Sequence, residues 1–415
     1  MTNGVVVLDK NPIVGRRIAG SVILGVLVAI VSLNGLEPTM AEELNWLRHT
    51  MTVLYFGFLL IFYGLTFRKY SMQYTTWGLL LVFTWVLFCV FTMIAHILHE
   101  EPLSDDLWRL TIIPLVAFSG FPRAANKDAN FILALGLVLG FAPYIIISLM
   151  WYPLSTFYQG VLNNPNSLAL YCTVSATGIF ILIRGALRER NYFLLGLLGI
   201  AQLVVLVVII LTASRTSLLT FLTLLIVFIR TLFIAKNVKS IIEQIVIIIL
   251  VAGYCMLPLG LIASNFEDKD LFMKYGERTG DYLLTGRDEI WKDTIEEASI
   301  FGHGNQYFFE QFNLVSHNNI IDVLGSQGIL AAIAISCFLF FSLICVNSYM
   351  IKCFHKDKYS FGPLMVSTCF IVLGMGENTL ATVGNGLNIV YFFSIGVAMD
   401  YCHGYCSKNI EEENN

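Results

Sequence analysis

The sequence predicts an all-α integral membrane protein with about twelve transmembrane helices and one large exterior loop between the ninth and tenth. Two observations predict that class. The 415-residue chain is 57% hydrophobic and 13% charged, about half the charged share usual for soluble domains. Apolar runs of about eighteen or more residues recur along most of its length, and each can cross a hydrocarbon core about 30 Å thick as a helix. A soluble fold is thereby excluded. The runs are continuous rather than alternating, which excludes a membrane β-barrel.

The first run, near residues 18–33, has a basic start and reads as a spanning helix rather than a cleavable signal. The spans centre near residues 25, 59, 86, 115, 140, 176, 202, 226, 252, 337, 372 and 394. The fourth, 110–121, is short. Alternate loops carry Lys10, Arg16 and Arg17; Arg68 and Lys69; Arg123 and Lys127; Arg184, Arg188 and Arg190; Arg230, Lys236 and Lys239; Lys352, Lys356 and Lys358; then Lys408. Those loops hold most of the 25 basic residues. The positive-inside rule then puts both termini in the cytoplasm of a multi-pass plasma (inner) membrane protein. The expected division is 1–264 for helices one to nine, 265–319 for an exterior cap, 320–402 for helices ten to twelve, and 403–415 for a cytoplasmic tail.

Nine cysteines lie in spans or on the cytoplasmic side, which argues against a disulfide framework. Cys402, His403 and Cys406 have metal-binding atoms but lack a fourth partner. The net charge of −4 implies no nucleic-acid partner.

The exterior segment is too long for a simple turn. "EIWKDTIEEA" and "QYFFEQFNLV" read as short amphipathic helices. Trp291, Tyr307, Phe308, Phe309 and Phe312 suggest a cap resting on the membrane surface, either as an aromatic belt or as rings that contact a sugar or lipid.

A charge at a membrane edge needs a reason, because desolvation is costly. "TASRTS" is a tight exterior turn whose one charge, Arg215, stands against the positive-inside trend. Arg215 either snorkels to headgroups while Ser214 or Ser217 caps the next helix, or it holds an anionic group with its planar fork. In "GRDEIW", Arg287 either pairs with Asp281, Asp288 or Glu289, or delivers a second phosphate-binding guanidinium. In "SHNNIIDVLGSQGIL", Ser316 or Asn318 can cap a helix that re-enters the membrane, which puts His317 at its start. A neutral imidazole there can accept a proton. The bland reading is a side chain bonded to the loop backbone. Gly325 and Gly328 would let another helix approach.

His303 in "FGHGN" is a weaker candidate within a glycine turn. Asn166 in "NNPNS" belongs to a turn that caps span six or offers amides to a sugar or phosphate. Glu377 is expected inside span eleven near its outer end, either as a functional acid or as a bond to a neighbouring helix.

Taken together, these motifs resemble the O-antigen ligase and polymerase family of membrane glycosyltransferases. The family's His-Asn-x-x-Leu-x-x-Leu followed by Gly-Ile-x-Gly is similar to His317, Asn318, Ile321 and Leu324, then Gly328, Ile329 and Leu330. Ala331 stands for the last glycine and Ser326 for a common acidic residue. Gly286, Arg287, Ile290 and Trp291 match a second motif, Gly302 and Gly304 a third, and Ser214 with Arg215 a fourth. The resemblance spans about residues 163–345.

It implies a GT-C-like fold and an inverting, metal-independent transfer without cofactors. The implied substrate is an undecaprenyl-diphosphate-linked oligosaccharide at the outer leaflet, in a capsular or exopolysaccharide system. Membrane lipids, a flippase and a chain-length regulator are the implied partners. His317 would be the base, Arg215 and Arg287 would hold the diphosphate, and Asn318, Ser214, Trp291, Asn166, His303 and Glu377 would support or bind substrate.

A polymerase would join two lipid-linked repeat units. A ligase would move the glycan to a separate acceptor such as a lipid A core. Two further readings stay open. Asp268, Asp270, Asp281 and Asp288, or Asp105 and Asp106, could supply a metal site. A twelve-span flippase fits the span number, although two similar halves would then be expected.

Overall fold

The structure is a computed structural model that describes residues 12–66, 76–101, 114, 117, 120–122, 124–155, 157–233, 287–380 and 386–413. Every long element among them is a helix. The first half comprises α1 (Pro12–Val31), α2 (Pro38–Glu43), α3 (Asn45–Thr66), α4 (Thr76–Leu98), α5 (Ala129–Trp151), α6 (Pro165–Glu189), α7 (Tyr192–Leu211) and α8 (Arg215–Phe233). The second comprises α9 (Arg287–Glu296), α10 (Tyr307–Phe312), α11 (Asn319–Gln327), α12 (Ile329–Cys353), α13 (Gly362–Gly374) and α14 (Gly386–Glu413).

Among the described residues, 7 helices are long and apolar enough to cross a membrane. They are Val14–Gly35, Thr76–Leu98, Ala129–Trp151, Pro165–Glu189, Tyr192–Leu211, Arg215–Leu232 and Ile329–Cys353. Gly362–Gly374 and Gly386–Met399 are shorter apolar helices. Met150, Phe193 and Ile226 lie exposed on the long helices. Such side chains would be costly in water and suit a hydrocarbon surround. Helices stand at the expected centres near 25, 59, 86, 140, 176, 202, 226, 337, 372 and 394. The centres near 115 and 252 lie outside the described residues.

The bundle is arranged around α6, with 83% of its apolar window buried. It packs against α5, α7, α8 and α13. Its Thr173 and Thr177 hydroxyls donate to carbonyls one turn back, at 2.8 and 3.0 Å, which satisfies them in an apolar interior. Close approach to α5 depends on Gly178, where a Cβ would collide with the Ala134 backbone carbonyl. A second layer forms where α12 lies along α4 and α14.

The chain reverses between α6, α7 and α8. The start of α8 and the end of α6 therefore lie at opposite ends of the bundle. α13 runs between the same two ends. At one of them the loops bearing Arg17, Lys127, Arg188 and Lys358 meet around a single cavity, so these loops share an end as their alternation predicts.

Two boundaries differ from expectation. The helix expected to run on from "SHNN" is two helices, broken at Gly328, whose φ of 91° no side-chain-bearing residue adopts easily. The backbone of Ile300 and Gly302 packs into the space a Gly328 side chain would need. The helix at the expected eleventh span, α13, is only 13 residues long, so Glu377 follows it rather than lying within it. α14 runs on as a helix through 403–413.

Gly178→Val should lower thermal stability by about 1–3 kcal/mol through overpacking. Unfolding of the detergent-solubilised protein measures it, and an unchanged midpoint would contradict the close α5–α6 contact.

Candidate functional site

The segment 287–328 folds into a small unit with its own core. Ile290, Tyr307 and Phe308 are buried together, and Trp291, Phe312 and Ile321 pack against them. α9 and α10 form where the amphipathic patterns predict them. The rings do not make the expected surface belt. Of those named above, Phe309 is the one left strongly exposed, at 66%. The Tyr307 hydroxyl donates to Glu297 Oε2 at 2.9 Å, and burial with this acid neighbour pushes its pKa up to about 12.

The Gly-x-Gly turn has a backbone reason. Gly302 and Gly304 both have positive φ, 73° and 90°. The turn binds the end of α11 through His303 N–H to Gly325 O at 2.9 Å and Gly304 N–H to Ser326 O at 3.0 Å. Gly325 leaves room for the Phe308 ring, so a short helix approaches there rather than a spanning one. The His303 ring stacks on Tyr307 and lies 2.9 Å from Glu297 O. His303, though exposed, is therefore engaged within the unit itself.

His317 sits just before α11. Its φ of 51° is left-handed, a strained choice for a residue other than glycine. Neighbouring bonds hold it there. Trp291 Nε1 donates to Ser316 O at 2.8 Å, and Ser316 Oγ donates to Asp322 Oδ1 at 3.1 Å. Asn318 caps α11, accepting from Ile320 and Ile321 N–H at 2.9 and 3.2 Å. Its amide also donates to Met375 O at 3.2 Å.

Asn319 completes the attachment. Its amide donates to Thr379 Oγ1 at 2.9 Å, and its carbonyl accepts from Thr379 and Leu380 N–H at 2.8 and 2.9 Å. The loop after α13 is thus fastened beneath His317. Glu377 on that loop reaches His317 Nδ1 at 3.3 Å and lies 3.9 Å from Arg287 Nη2. Arg287 also donates to Gly376 O at 2.8 Å. All three side chains are largely but not fully buried, 28%, 17% and 20% exposed for His317, Glu377 and Arg287.

Arg215 is the first residue of α8 and is exposed, while Ser214 before it is buried. Thr216 packs against Gly376, where a Cβ would collide with its side chain. The Arg215 turn is therefore seated beside the loop that carries Glu377. Asn166 lies in the first turn of α6, whose cap is Asn164, accepting from Ser167 N–H at 2.8 Å. Capping is thus the role this turn displays, and Asn163 N–H ties it to Gly35 O at 2.9 Å.

Arg287, His317, Glu377 and Asn318 come together, Trp291 braces them, and Arg215 flanks them. Asp322, Asn319, Thr379 and Thr216 are working members that the sequence reading passed over, and Ser316, expected as a possible cap, instead bonds Asp322. Only the doubled asparagine of "SHNN" hinted at them, since one amide caps the helix and the next is left for a distant partner.

Among the described residues, no group of three His, Cys, Asp or Glu side chains is placed to hold a metal. Asp105, Asp106, Asp268, Asp270 and Asp281 lie outside the described residues, as does the Asp288 side chain. The chain matches no protein-family model and no curated protein.

Burial raises the Asp322 carboxyl above the usual carboxylate range, against hydrogen bonds from Asn378 and Ser316 that lower it. The folded state then keeps this proton to higher pH than the unfolded chain does. Its contribution to stability is largest in acid and is lost as pH rises from about 4 upward. Asp322→Asn should flatten that part of the stability–pH curve. An identical slope in wild type and variant would show that Asp322 does not set it.

Proposed function

We propose that this protein is a membrane glycosyltransferase of the twelve-span, GT-C-like kind, acting on a glycan carried by undecaprenyl diphosphate at the outer leaflet. The single observation that supports it most is the gathering of Arg287, His317 and Glu377, with the Arg215 turn alongside, at one end of an apolar bundle. The groups come from separate segments of the chain, and structural need alone does not call for a histidine in a strained backbone against an acid that a guanidinium also approaches.

The chemistry follows from the groups. An acceptor sugar hydroxyl attacks the anomeric carbon and loses its proton to His317. The bond from that carbon to the diphosphate oxygen breaks, and configuration inverts. Arg215 and Arg287 meet the charge that grows on the departing lipid diphosphate. Glu377 against Nδ1 favours the tautomer with its proton on Nδ1 and its lone pair on Nε2, which is the base the step requires. Trp291 and Asn318 position the imidazole rather than touch the sugar.

Polymerase is preferred to ligase because, among the described residues, the cap carries only the 10-residue α9 and the 6-residue α10. Those two helices pack on one another and on α11, which leaves little surface on them for a separate acceptor. The deciding experiment supplies purified protein with a lipid-linked repeat unit as sole substrate. A ladder of products is expected. Unchanged substrate would overturn the polymerase and leave a ligase or flippase.

His317→Ala should leave the protein in the membrane and reduce polymer formation by about 10²-fold or more. Wild-type chain yield would remove His317 as base. Arg215→Lys and Arg287→Lys should each fail to restore normal turnover, because a point charge does not reproduce the two-pronged fork. Wild-type rates in both would refute the assignment of the diphosphate to these residues.

A further inference from the structure

A second polar site lies at the other end of the bundle, separated from His317 by the length of α13. It is a cavity of about 520 Å³ between the start of α1, the turn before α5, the end of α6 and the loop joining α12 to α13. Pockets of this size hold small molecules rather than single ions. Five basic side chains face three acidic ones around it, so the lining carries net positive charge.

The acids are already committed to the walls. Asp128 accepts from Arg17 Nε at 2.6 Å. Asp357 accepts from Asn130 Nδ2 at 2.6 Å and from the Tyr359 N–H at 2.9 Å. Glu189 pairs with Lys358.

Arg17 and Lys358 are thus ion-paired, whereas, among the described residues, Arg188 and Lys356 form no salt bridge with an acid of the cavity wall. Arg188 donates to the carbonyls of Phe354 and His355, at 2.7 and 3.2 Å, which fixes the loop without cancelling the charge. Lys356 is exposed at the rim. The Lys358 ammonium is pushed below its ordinary range by burial and then by the nearby Arg17 and Arg188, as a site of positive potential would do. Two aromatic rings, Phe131 and Tyr359, stand 5.3 Å apart on one wall. Arg17 lies over the first and Lys358 over the second. The three acids offset part of the charge of the five cations, and the positive surplus that remains, gathered from four chain segments, is one that an anion would relieve.

We propose that this cavity binds a phosphate ester, its phosphate among Arg17, Arg188, Lys356 and Lys358 and its organic part against Phe131 and Tyr359. The phosphate comes either from the headgroup of an anionic phospholipid or from a soluble phosphorylated compound. The site stands apart from His317, so the proposal does not depend on the glycosyltransferase reading.

The test uses the full-length protein purified in detergent. One arm measures retention of phosphatidylglycerol against phosphatidylcholine by native mass spectrometry. The other measures the thermal shift produced by inorganic pyrophosphate and by ATP. Lys356→Glu alters an exposed residue, and should weaken whichever ligand binds by about ten-fold or more. Lys356→Gln should weaken it less, and serves as the reading if the reversal misfolds. Loss of lipid retention identifies a headgroup site, and loss of the pyrophosphate or ATP shift identifies a soluble ligand. Absence of binding in both arms, or binding that neither variant changes, would overturn the proposal.

Discussion

The arrangement rests on what Asn319 does with one primary amide. Its carbonyl and amino groups take up three polar groups on a loop 60 residues away in sequence. Those groups follow a helix end, where backbone N–H and C=O lose their intrahelical partners and burial would otherwise be costly. Asn319 supplies the partners. It also ties α11 to the end of α13, and that tie brings Glu377 under His317. Asn318 adds a weaker second bond from the same short segment. The geometry at His317 is therefore a by-product of solving a hydrogen-bonding problem at two helix ends.

A second layer of support comes from the folded cap. The Trp291 indole reaches across to Ser316, and the aromatic cluster around Tyr307 and Phe308 fixes where α9 stands. α9 begins with Arg287, so the same packing sets the guanidinium. Glycines at 302, 304 and 328 allow the cap to lie directly on the break between α11 and α12. The cap is thus joined to the bundle by main-chain contacts as well as side chains, including Ile329 N–H to Ser299 O at 3.0 Å. The turn after α4 contributes as well, where Asn305 N–H donates to Glu101 Oε1 at 2.5 Å.

Much of this was legible in the residues. Long apolar runs announce helices in a membrane because backbone groups there must be satisfied within each segment. The pattern of "EIWKDTIEEA" gave away α9, and the glycines around His303 announced a turn. What was hidden depends on distance along the chain. Nothing near Asn319 shows that Thr379 is its partner, and nothing near Thr216 shows that Gly376 makes room for it. The aromatic residues of the cap misled for a related reason. An aromatic run looks the same whether it faces lipid or fills a small core, and only the partners Ile290 and Ile321 decide between them. Gly328 reads as a site of close helix approach until its positive φ shows a chain break.

The shortness of α13 has a consequence of its own. Its 13 residues rise only about 20 Å, whereas the hydrocarbon layer is about 30 Å thick. The neighbouring α12, with 25 residues, is long enough to reach both surfaces. A helix as short as α13 leaves about 10 Å of the layer to whatever adjoins its ends. The acids nearest those ends are Asp357 before α13, which accepts from Asn130, and Glu377 after it, which meets His317 and Arg287. Each carboxyl group thus has polar company of its own, which offsets the cost of placing it so near an apolar interior.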